Sequence, residues 1–316
     1  MSSTTHPKGN SEVDSLNSNN SERLSTDSEV QETVKSLLKA KKNLIFSTFN
    51  ARTLRKEQNV EELIINFKKQ RINIMGLQEH RRVHEDVPIS YEERNGQYFI
   101  TSSAWRNSQK AAVGGVGLLL DRRAKKALGE VKTFSNRILV ATFEGNPATT
   151  VIVAYSPTST TGNEEEVELF YQGLREATKA TPKHNMLITL GDFNAHIGKD
   201  SVQHSFQEQS NRNGEYLLEF AEEQELTICN CNFRKKAGKQ WTFIDPSGRL
   251  YQKDYILINN KWRNSVKNAE PYSSFSSVGS DHRVVSATIN LSLRSPKERQ
   301  QQGEKYDWKV LRSNET

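Results

Sequence analysis

The most informative stretch of the chain is NMLITLGDFNAH, residues 185–196, where an apolar run gives way to polar residues. Residues 186–190 have the length and the Ile, Leu and Thr content of a buried β-strand. The run is followed at once by Asp192 and Asn194. A strand that ends in a carboxylate and an amide presents both groups at one rim of a sheet, where binding and catalytic residues collect.

Short runs of the same kind recur on both sides of this stretch. They are rich in Val, Ile, Thr and aromatic residues, and they include LIFSTF, INIMGL, YFITSS, GGVGLLL, ILVATFE, TTVIVAY, LTICNC, QWTFI, YQKDYILI and VVSATINLSL. Helical spacing of apolar residues appears only at 60–67, 167–174 and 216–220. So many strands with so few helices exclude a plan with one helix per strand. We predict an α/β (α+β) fold in which two mostly antiparallel sheets pack together with helices outside.

The two ends of the chain differ in composition from its middle. Residues 1–42 are dominated by Ser, Thr, Asn and Glu, and we expect disorder there, followed by a short lead-in helix around Val34, Leu37 and Leu38. Residues 43–293 form the predicted domain. Residues 294–316 are polar, and we interpret them as a linker.

The charge distribution and the cysteines limit the possible partners. The net charge is +6, and residues 43–293 hold 32 basic and 28 acidic groups, which mildly favours a polyanionic partner. Cys229 and Cys231 are interpreted as core thiols of a reducing compartment, placed by strand geometry on one face. With no secretory leader pattern or apolar span, we expect an intracellular protein that does not enter a membrane.

Polar, metal-competent residues stand at the ends of five of the apolar runs: Asn50, Glu79, Tyr155, Asp192 with Asn194, and Asp281 with His282. Each alone has an ordinary structural explanation, such as a solvated strand-end carboxylate or a turn. Together, carboxylates, amides, a phenol and an imidazole without cysteine partners form a hard, oxygen-rich set. Such a set suits Mg²⁺ or Mn²⁺ rather than zinc.

The motifs FNART, LQEHR, YSPT, GDFNAHIG, QKDYILI and GSDHR, in this order, resemble the endonuclease/exonuclease/phosphatase superfamily, which includes deoxyribonuclease I and the abasic-site repair endonucleases. The resemblance covers about residues 43–293. Residues 212–262 further resemble the endonuclease domains of RTE-type non-LTR retrotransposons and their craniofacial development protein 2-like relatives. The resemblance implies a four-layer, deoxyribonuclease I-like sandwich. It also implies an enzyme that hydrolyses phosphodiester bonds of double-stranded DNA in the nucleus and leaves a 3′ hydroxyl.

The resemblance also implies roles for the matched residues. Glu79, Asn50 and Asp281 would hold Mg²⁺ (or Mn²⁺). Asp192 would orient or deprotonate the attacking water, and Asn194 would hold that water or a phosphate oxygen. His282 would donate to the phosphate with Asp254 fixing its tautomer, and Tyr155 would hydrogen-bond a phosphate oxygen.

The chain departs from the family at a few positions. Lys253 stands where the family has an apolar residue, so we expect it either at a sheet edge or, in a decaying copy, buried at a cost in stability. Tyr251 and Gln240 replace the Trp and Phe of the abasic-site repair enzymes, so the resemblance does not extend to an abasic pocket. Two other functions stay open: an inactive or host-recruited nucleic-acid-binding relic, and a phosphoinositide or sphingolipid phosphatase.

Overall fold

The computed structural model of the 316-residue protein describes residues 36–39, 42–275 and 278–291. The strands of the first half are β1 (Leu44–Asn50), β2 (Ile74–Gln78), β3 (Ile89–Arg94), β4 (Gln97–Ser102), β5 (Trp105–Arg106), β6 (Ala112–Val113), β7 (Val116–Leu120), β8 (Leu128–Ser135) and β9 (Ile138–Phe143). Those of the second half are β10 (Thr149–Tyr155), β11 (Met186–Asp192), β12 (Leu226–Ile228), β13 (Phe243–Ile244), β14 (Leu250–Tyr251), β15 (Asp254–Asn259), β16 (Val266–Tyr272) and β17 (Val284–Ile289).

Two large sheets contain most of these strands. The first has seven strands in the order β16-β17-β1-β2-β7-β4-β3, and the second has six in the order β12-β15-β11-β10-β9-β8. Each sheet is antiparallel except at one central pair, β1 with β2 and β10 with β11. The predicted pair of mostly antiparallel sheets is therefore confirmed.

The apolar core is divided into three layers. The largest cluster lies between the sheets and joins Phe46 and Leu118 of the first to Val153 and Ile256 of the second. A second cluster covers the outer face of the six-stranded sheet, and a third covers the outer face of the seven-stranded sheet. Helix, sheet, sheet and helix thus stack in four layers, as the resemblance implied.

Helices supply the outer layers through apolar residues at helical spacing. In α1 (Glu57–Lys69), Val60, Leu63, Ile64 and Phe67 are all buried against the seven-stranded sheet. On the other side lie α3 (Glu164–Lys179) and α4 (Arg212–Glu223). The helical segments predicted from the sequence are the middles of these three helices. The short, basic α2 (Arg122–Ala127) was not predicted.

The predictions for the chain ends are tested only in part. Residues 1–35, 40, 41 and 292–316 lie outside the described residues, so the expected disorder and the linker stay predictions. Leu37 and Leu38 are buried in the core between the sheets, but residues 36–39 are not helical. Among the helices of the described residues, none combines the length and apolar composition needed to cross a membrane.

The expected strand geometry of the two cysteines is wrong. Cys229–Cys231 forms a short 3-10 helix after β12, which places Cys229 in the core between the sheets and Cys231 in the core beneath α3 and α4. Both thiols are free and buried, in agreement with their interpretation as core residues.

Candidate active site

The six-stranded sheet brings three candidate side chains side by side at one rim. Tyr155 ends β10, Asp192 ends β11, and Asp254 begins the antiparallel β15. The strand register pairs Tyr155 with Asp192 and Asp192 with Asp254. Three neighbouring strands therefore deliver a phenol and two carboxylates to one line, although the three residues are far apart in sequence.

The seven-stranded sheet contributes at the same rim. Asn50 ends β1, Glu79 follows β2 directly, and His282 comes just before β17. These strands are neighbours in the order β17-β1-β2. Asn50 joins the two sheets, because its Nδ2 donates to Glu79 Oε1 at 3.0 Å and to Asp192 Oδ2 at 2.8 Å.

Glu79 has an unfavourable backbone conformation, and three side chains donate hydrogen bonds to its carboxylate. Its φ of 51° lies in the left-handed region, which glutamate rarely adopts, so the surrounding structure must enforce it. Tyr155 Oη donates to Glu79 Oε1 at 2.7 Å, and Arg81 Nη2 donates to Oε2 at 2.7 Å. Burial alone would raise the pKa of Glu79, but hydrogen bonds from Arg81, Asn50 and Tyr155 lower it. Glu79 is therefore a carboxylate at neutral pH.

His282 lies between two buried carboxylates. Its Nδ1 is 2.9 Å from Asp254 Oδ2, and its Nε2 is 3.8 Å from Asp192 Oδ2. Burial alone would lower the pKa of His282, but the carboxylates of Asp254 and Asp192 raise it to about 9. Burial and the neighbouring Asp254 carboxylate raise the pKa of Asp192 to about 6. At pH 7 to 8 the site thus holds an imidazolium and a carboxylate able to accept a proton.

The His282 loop is fixed by the segment around Thr242 and by Ser280. Thr242 accepts the backbone N–H groups of Lys253 and Asp254 through Oγ1, and its carbonyl accepts that of Arg283. Ser280 Oγ donates to the carbonyl of Asn50 at 2.7 Å and accepts from the backbone N–H of His282. The WTF run, residues 241–243, therefore holds Asp254 and His282 in register with each other.

Asn194 is held in a tight turn just after β11. It has a φ of 46°, which asparagine tolerates better than most residues. Its backbone N–H donates to Asp192 Oδ1 at 2.9 Å, and its Nδ2 donates to the carbonyl of Ser156 at 2.9 Å. The turn positions the Asp192 carboxylate and leaves Asn194 Oδ1 as the polar atom of the amide that can face a ligand.

The oxygen ligands present fit a hard divalent cation. Glu79 and Asp281 supply anionic oxygens, and Asp281 is paired with the half-exposed Arg52 at 3.1 Å. Asn50 directs Nδ2, not Oδ1, at the carboxylates, and its Oδ1 accepts the backbone N–H of Arg52. A ligand role for Asn50 stays a prediction that requires the amide to rotate.

Among the described residues, a group with metal-like spacing consists of Asp192, Asp254 and His282, whose ligand atoms lie within 4.8 Å of one another. We interpret this trio as an acid–base group, because the His282 ring lies between two carboxylates that favour its protonated form.

Lys253 lies just before β15 and is half-buried. Because β15 lies between β12 and β11, the expected sheet-edge position is not observed, and partial exposure instead accommodates the charge. Its Nζ is 3.9 Å from the centroid of the Phe243 ring. The Phe243 ring in turn lies 4.8 Å from that of His282. Tyr251 stacks on His196 at 4.9 Å, and Gln240 donates to the carbonyl of His204. None of these contacts indicates a decaying core.

All eight candidate residues lie at one rim of the sandwich, linked by direct contacts, although their chemical roles stay predictions. Sequence reasoning missed three supports of the site: Ser280, Arg81 and Asn213. Ser280 and Arg81 lie inside the quoted motifs GSDHR and LQEHR, which could have indicated them. Asn213 is buried inside α4, where its Nδ2 donates to the carbonyl of Pro157 at 2.8 Å. The residue type alone gave no signal for this contact.

No protein-family model matches the chain. It is 32% identical over 186 residues to craniofacial development protein 2 of Bos taurus and 31% identical over 186 residues to that of Tragulus javanicus. The matches cover 57% of this chain and 31% and 32% of those proteins. The chain thus spans about a third of the length of the curated relatives it matches.

Solved structures with the same architecture are more distant in sequence. An AP endonuclease from Leishmania major matches 79% of the chain, with 88% of its own chain covered, a TM-score of 0.63 and 16% identity. The match to a 3′-5′ exonuclease from Neisseria meningitidis covers 78% of this chain and 100% of the exonuclease chain, with a TM-score of 0.62 and 16% identity. The match to the endonuclease domain of TRAS1, a telomere-specific non-LTR retrotransposon, covers 79% of this chain and 100% of that domain's chain, with a TM-score of 0.56 and 17% identity. Such identities establish the fold and leave the chemistry to the site itself.

Proposed function

We propose that this chain, which has the endonuclease/exonuclease/phosphatase fold, is a metal-dependent endonuclease that hydrolyses phosphodiester bonds of DNA. The observation that supports this most is the joined site, in which Asn50 links the Glu79 carboxylate to the Asp192–His282–Asp254 group. A carboxylate suited to a cation and an acid–base group thus lie within one or two hydrogen bonds of each other. Metal-assisted hydrolysis of a phosphodiester can use both.

Glu79 and Asp281 are the residues that would hold Mg²⁺ or Mn²⁺, which when bound offsets negative charge on the phosphate and on the leaving oxygen. Asn50 would join them only with its amide rotated, and in the orientation observed it links the carboxylates instead. The hydrogen bonds from Tyr155 and Arg81 keep the Glu79 carboxylate oriented.

The remaining steps belong to side chains of the chain. Asp192, with a pKa raised to about 6, is ionised at neutral pH and accepts a proton from the attacking water. His282, with a pKa raised to about 9, stays protonated and donates from Nε2 to the phosphate, where negative charge builds up. Asp254 holds Nδ1 and so directs Nε2 toward Asp192 and the reacting group.

Tyr155 and Asn194 complete the proposed substrate contacts. Burial and the Glu79 charge raise the pKa of Tyr155, so the phenol keeps its single proton. It donates that proton to Glu79 in this structure and would have to turn to donate it to a phosphate oxygen. Asn194 Oδ1 would hold the attacking water beside Asp192. In this arrangement a free 3′ hydroxyl is the leaving group.

Three observations support DNA as the substrate. Residues 43–293, the predicted domain, hold 32 basic and 28 acidic groups and so carry a basic surplus. Similar folds include an AP endonuclease and a 3′ phosphatase solved with a DNA hairpin. The likeness to a retrotransposon endonuclease domain favours nicking of double-stranded DNA in the nucleus. Nuclear enrichment of a fluorescently tagged chain would test the location.

The test is nicking of supercoiled plasmid by the purified protein in Mg²⁺, in Mn²⁺ and in EDTA. We expect nicks only with metal, with 3′ ends that a polymerase extends without prior treatment. Phosphate release from inositol phosphates without nicking would instead favour the lipid phosphatase. A folded protein that binds DNA and cuts nothing would favour the relic, against which the complete set of site contacts argues.

A further inference from the structure

A basic cavity of about 380 Å³ opens beside the candidate active site. Its polar lining consists of five cationic side chains, and the other lining residues are apolar. The five, called the basic cavity residues below, are Arg55, Arg81, Arg82, Arg106 and Lys110.

The charge of the basic cavity is only partly balanced. Arg82 pairs with Glu92 at 2.9 Å, Arg106 with Glu85 at 3.6 Å, and Arg81 with Glu79. For Arg55 and Lys110, no ion pair occurs among residues 36–39, 42–275 and 278–291. No carboxylate lines the cavity itself. Positive charge that faces an open cavity without an acid favours an anionic ligand.

Three of the basic cavity residues, Arg55, Arg106 and Lys110, are exposed, so their side-chain N–H donors can reach a ligand in the cavity. The oxygens of a phosphate match such donors well, because planar guanidinium groups bind them in a fork.

The cavity is built on a fixed frame. Arg81 has a left-handed φ of 55°, and its backbone N–H donates to the carbonyl of Gly114 at 2.9 Å. Gly114 and Gly115 also have positive φ, and a Cβ at Gly115 would lie 2.5 Å from the His80 ring. The β5–β6 hairpin supplies Arg106 and Lys110, with Arg106 Nη1 donating to the carbonyl of Lys110.

Arg81 belongs to the cavity and to the active site at once. Its Nη2 donates to Glu79, and its side chain also lines the cavity. A nucleic-acid strand whose scissile phosphate lies at Glu79 would therefore carry a neighbouring phosphate over the cavity. Successive phosphates of one strand are only a few ångströms apart, which a single arginine side chain can span.

We propose that the basic cavity binds a second phosphodiester of the strand being cut, one to a few nucleotides from the scissile bond. The inference rests on the proposed function for the identity of the ligand. It adds a docking subsite, shared by the turn after β2 and the β5–β6 hairpin, that would fix where along the backbone the cut occurs.

The test separates binding from cutting. The variant R55Q/R106Q/K110Q removes three exposed cations that the proposed mechanism does not use. Binding of a labelled DNA duplex is measured by fluorescence anisotropy in EDTA over a range of salt concentrations. We expect Kd to rise about tenfold and the salt dependence of log K to fall by about one for each phosphate that the variant no longer binds.

The matched control is K179Q/K183Q/K261Q. These lysines line another cavity, of about 530 Å³, together with Glu223 and Glu225, and their replacement changes the net charge equally. We expect this variant to bind like the wild type. If both triple variants weaken DNA binding equally, or if neither weakens it, the proposed subsite is wrong.

A second arm locates the phosphate. In a duplex with one mapped nick site, single phosphates are replaced in turn by uncharged methylphosphonates. One position near the cut should weaken binding to the wild type and leave binding to R55Q/R106Q/K110Q unchanged; if no position behaves so, the subsite is wrong. Wild type that binds through the cavity but never nicks would remove the proposed function alone, whereas nicking unaffected by the variant would remove the subsite alone.

Discussion

Asp254 and His282 form a fully buried carboxylate–imidazole pair, with His282 Nδ1 2.9 Å from Asp254 Oδ2. We expect Asp254→Asn to lower the nicking rate by about 10² to 10⁴, because an amide no longer favours the imidazolium. His282→Ala should lose at least as much, and the double variant should lose no more than His282→Ala alone. Rate constants from plasmid nicking measure this; additive losses would show that the residues act independently.

The pKa values of Asp192 and His282 predict how the rate depends on pH. Asp192 must be deprotonated to accept a proton, and burial with the Asp254 charge raises its pKa to about 6. His282 must be protonated to donate, and the two carboxylates raise its pKa to about 9. The nicking rate at saturating metal should therefore rise as pH increases through about 6 and fall as pH increases beyond about 9. A rate that keeps rising above pH 9 would contradict the assignment of His282 as a donor.

Glu79→Ala is expected to abolish metal-dependent cutting, by a factor of about 10² or more, while DNA binding in EDTA persists. Mg²⁺ or Mn²⁺ should raise the Tm of the wild type and leave that of the variant unchanged, since only a folded state with the ligand binds the ion. The exposed Glu61 on α1 gives the control, Glu61→Ala, which should behave like the wild type. Retained activity in Glu79→Ala would refute the metal site.

Lys253→Ile tests whether this position harms the fold. Because Lys253 Nζ lies 3.9 Å from the Phe243 ring centroid, the substitution should leave the free energy of unfolding unchanged or lower it by about 1 kcal/mol. Urea denaturation measures the difference. A clear gain in stability would instead support the decay of this copy.

The burial of His80 predicts that the protein loses stability in acid. It is buried, its Nδ1 accepts the backbone N–H of Arg82 at 3.0 Å, and burial lowers its pKa to about 3. In the unfolded chain His80 has its ordinary pKa of 6.5, so below that pH it binds a proton, whereas in the folded chain it stays neutral until the pH is much lower. The stabilisation is therefore complete above pH 6.5 and is lost as pH falls toward 3. Between pH 7.5 and 5, wild type should lose about 2 kcal/mol more than His80→Gln; equal losses would contradict this.

The fold was predictable because strand runs, their polar ends and three amphipathic helices are local patterns. The positions of Asn50, Glu79, Asp192 and His282 at one rim followed from the rule that strand ends share a sheet edge. Which groups bond to which could not be predicted, because the register between β11 and β15 and the packing of the two sheets are long-range. The direction of the Asn50 amide, the left-handed turn at Glu79 and the basic cavity all depend on that packing.

The bond between Ser280 Oγ and the carbonyl of Asn50 joins residues 230 positions apart. One partner stands at the end of the first strand of the domain, and the other just before the last. During synthesis the ribosome must therefore complete nearly the whole domain before any cutting site can exist. A product truncated before Ser280 also lacks His282, so under the proposed function it holds the carboxylates without their imidazole and should not cut nucleic acid.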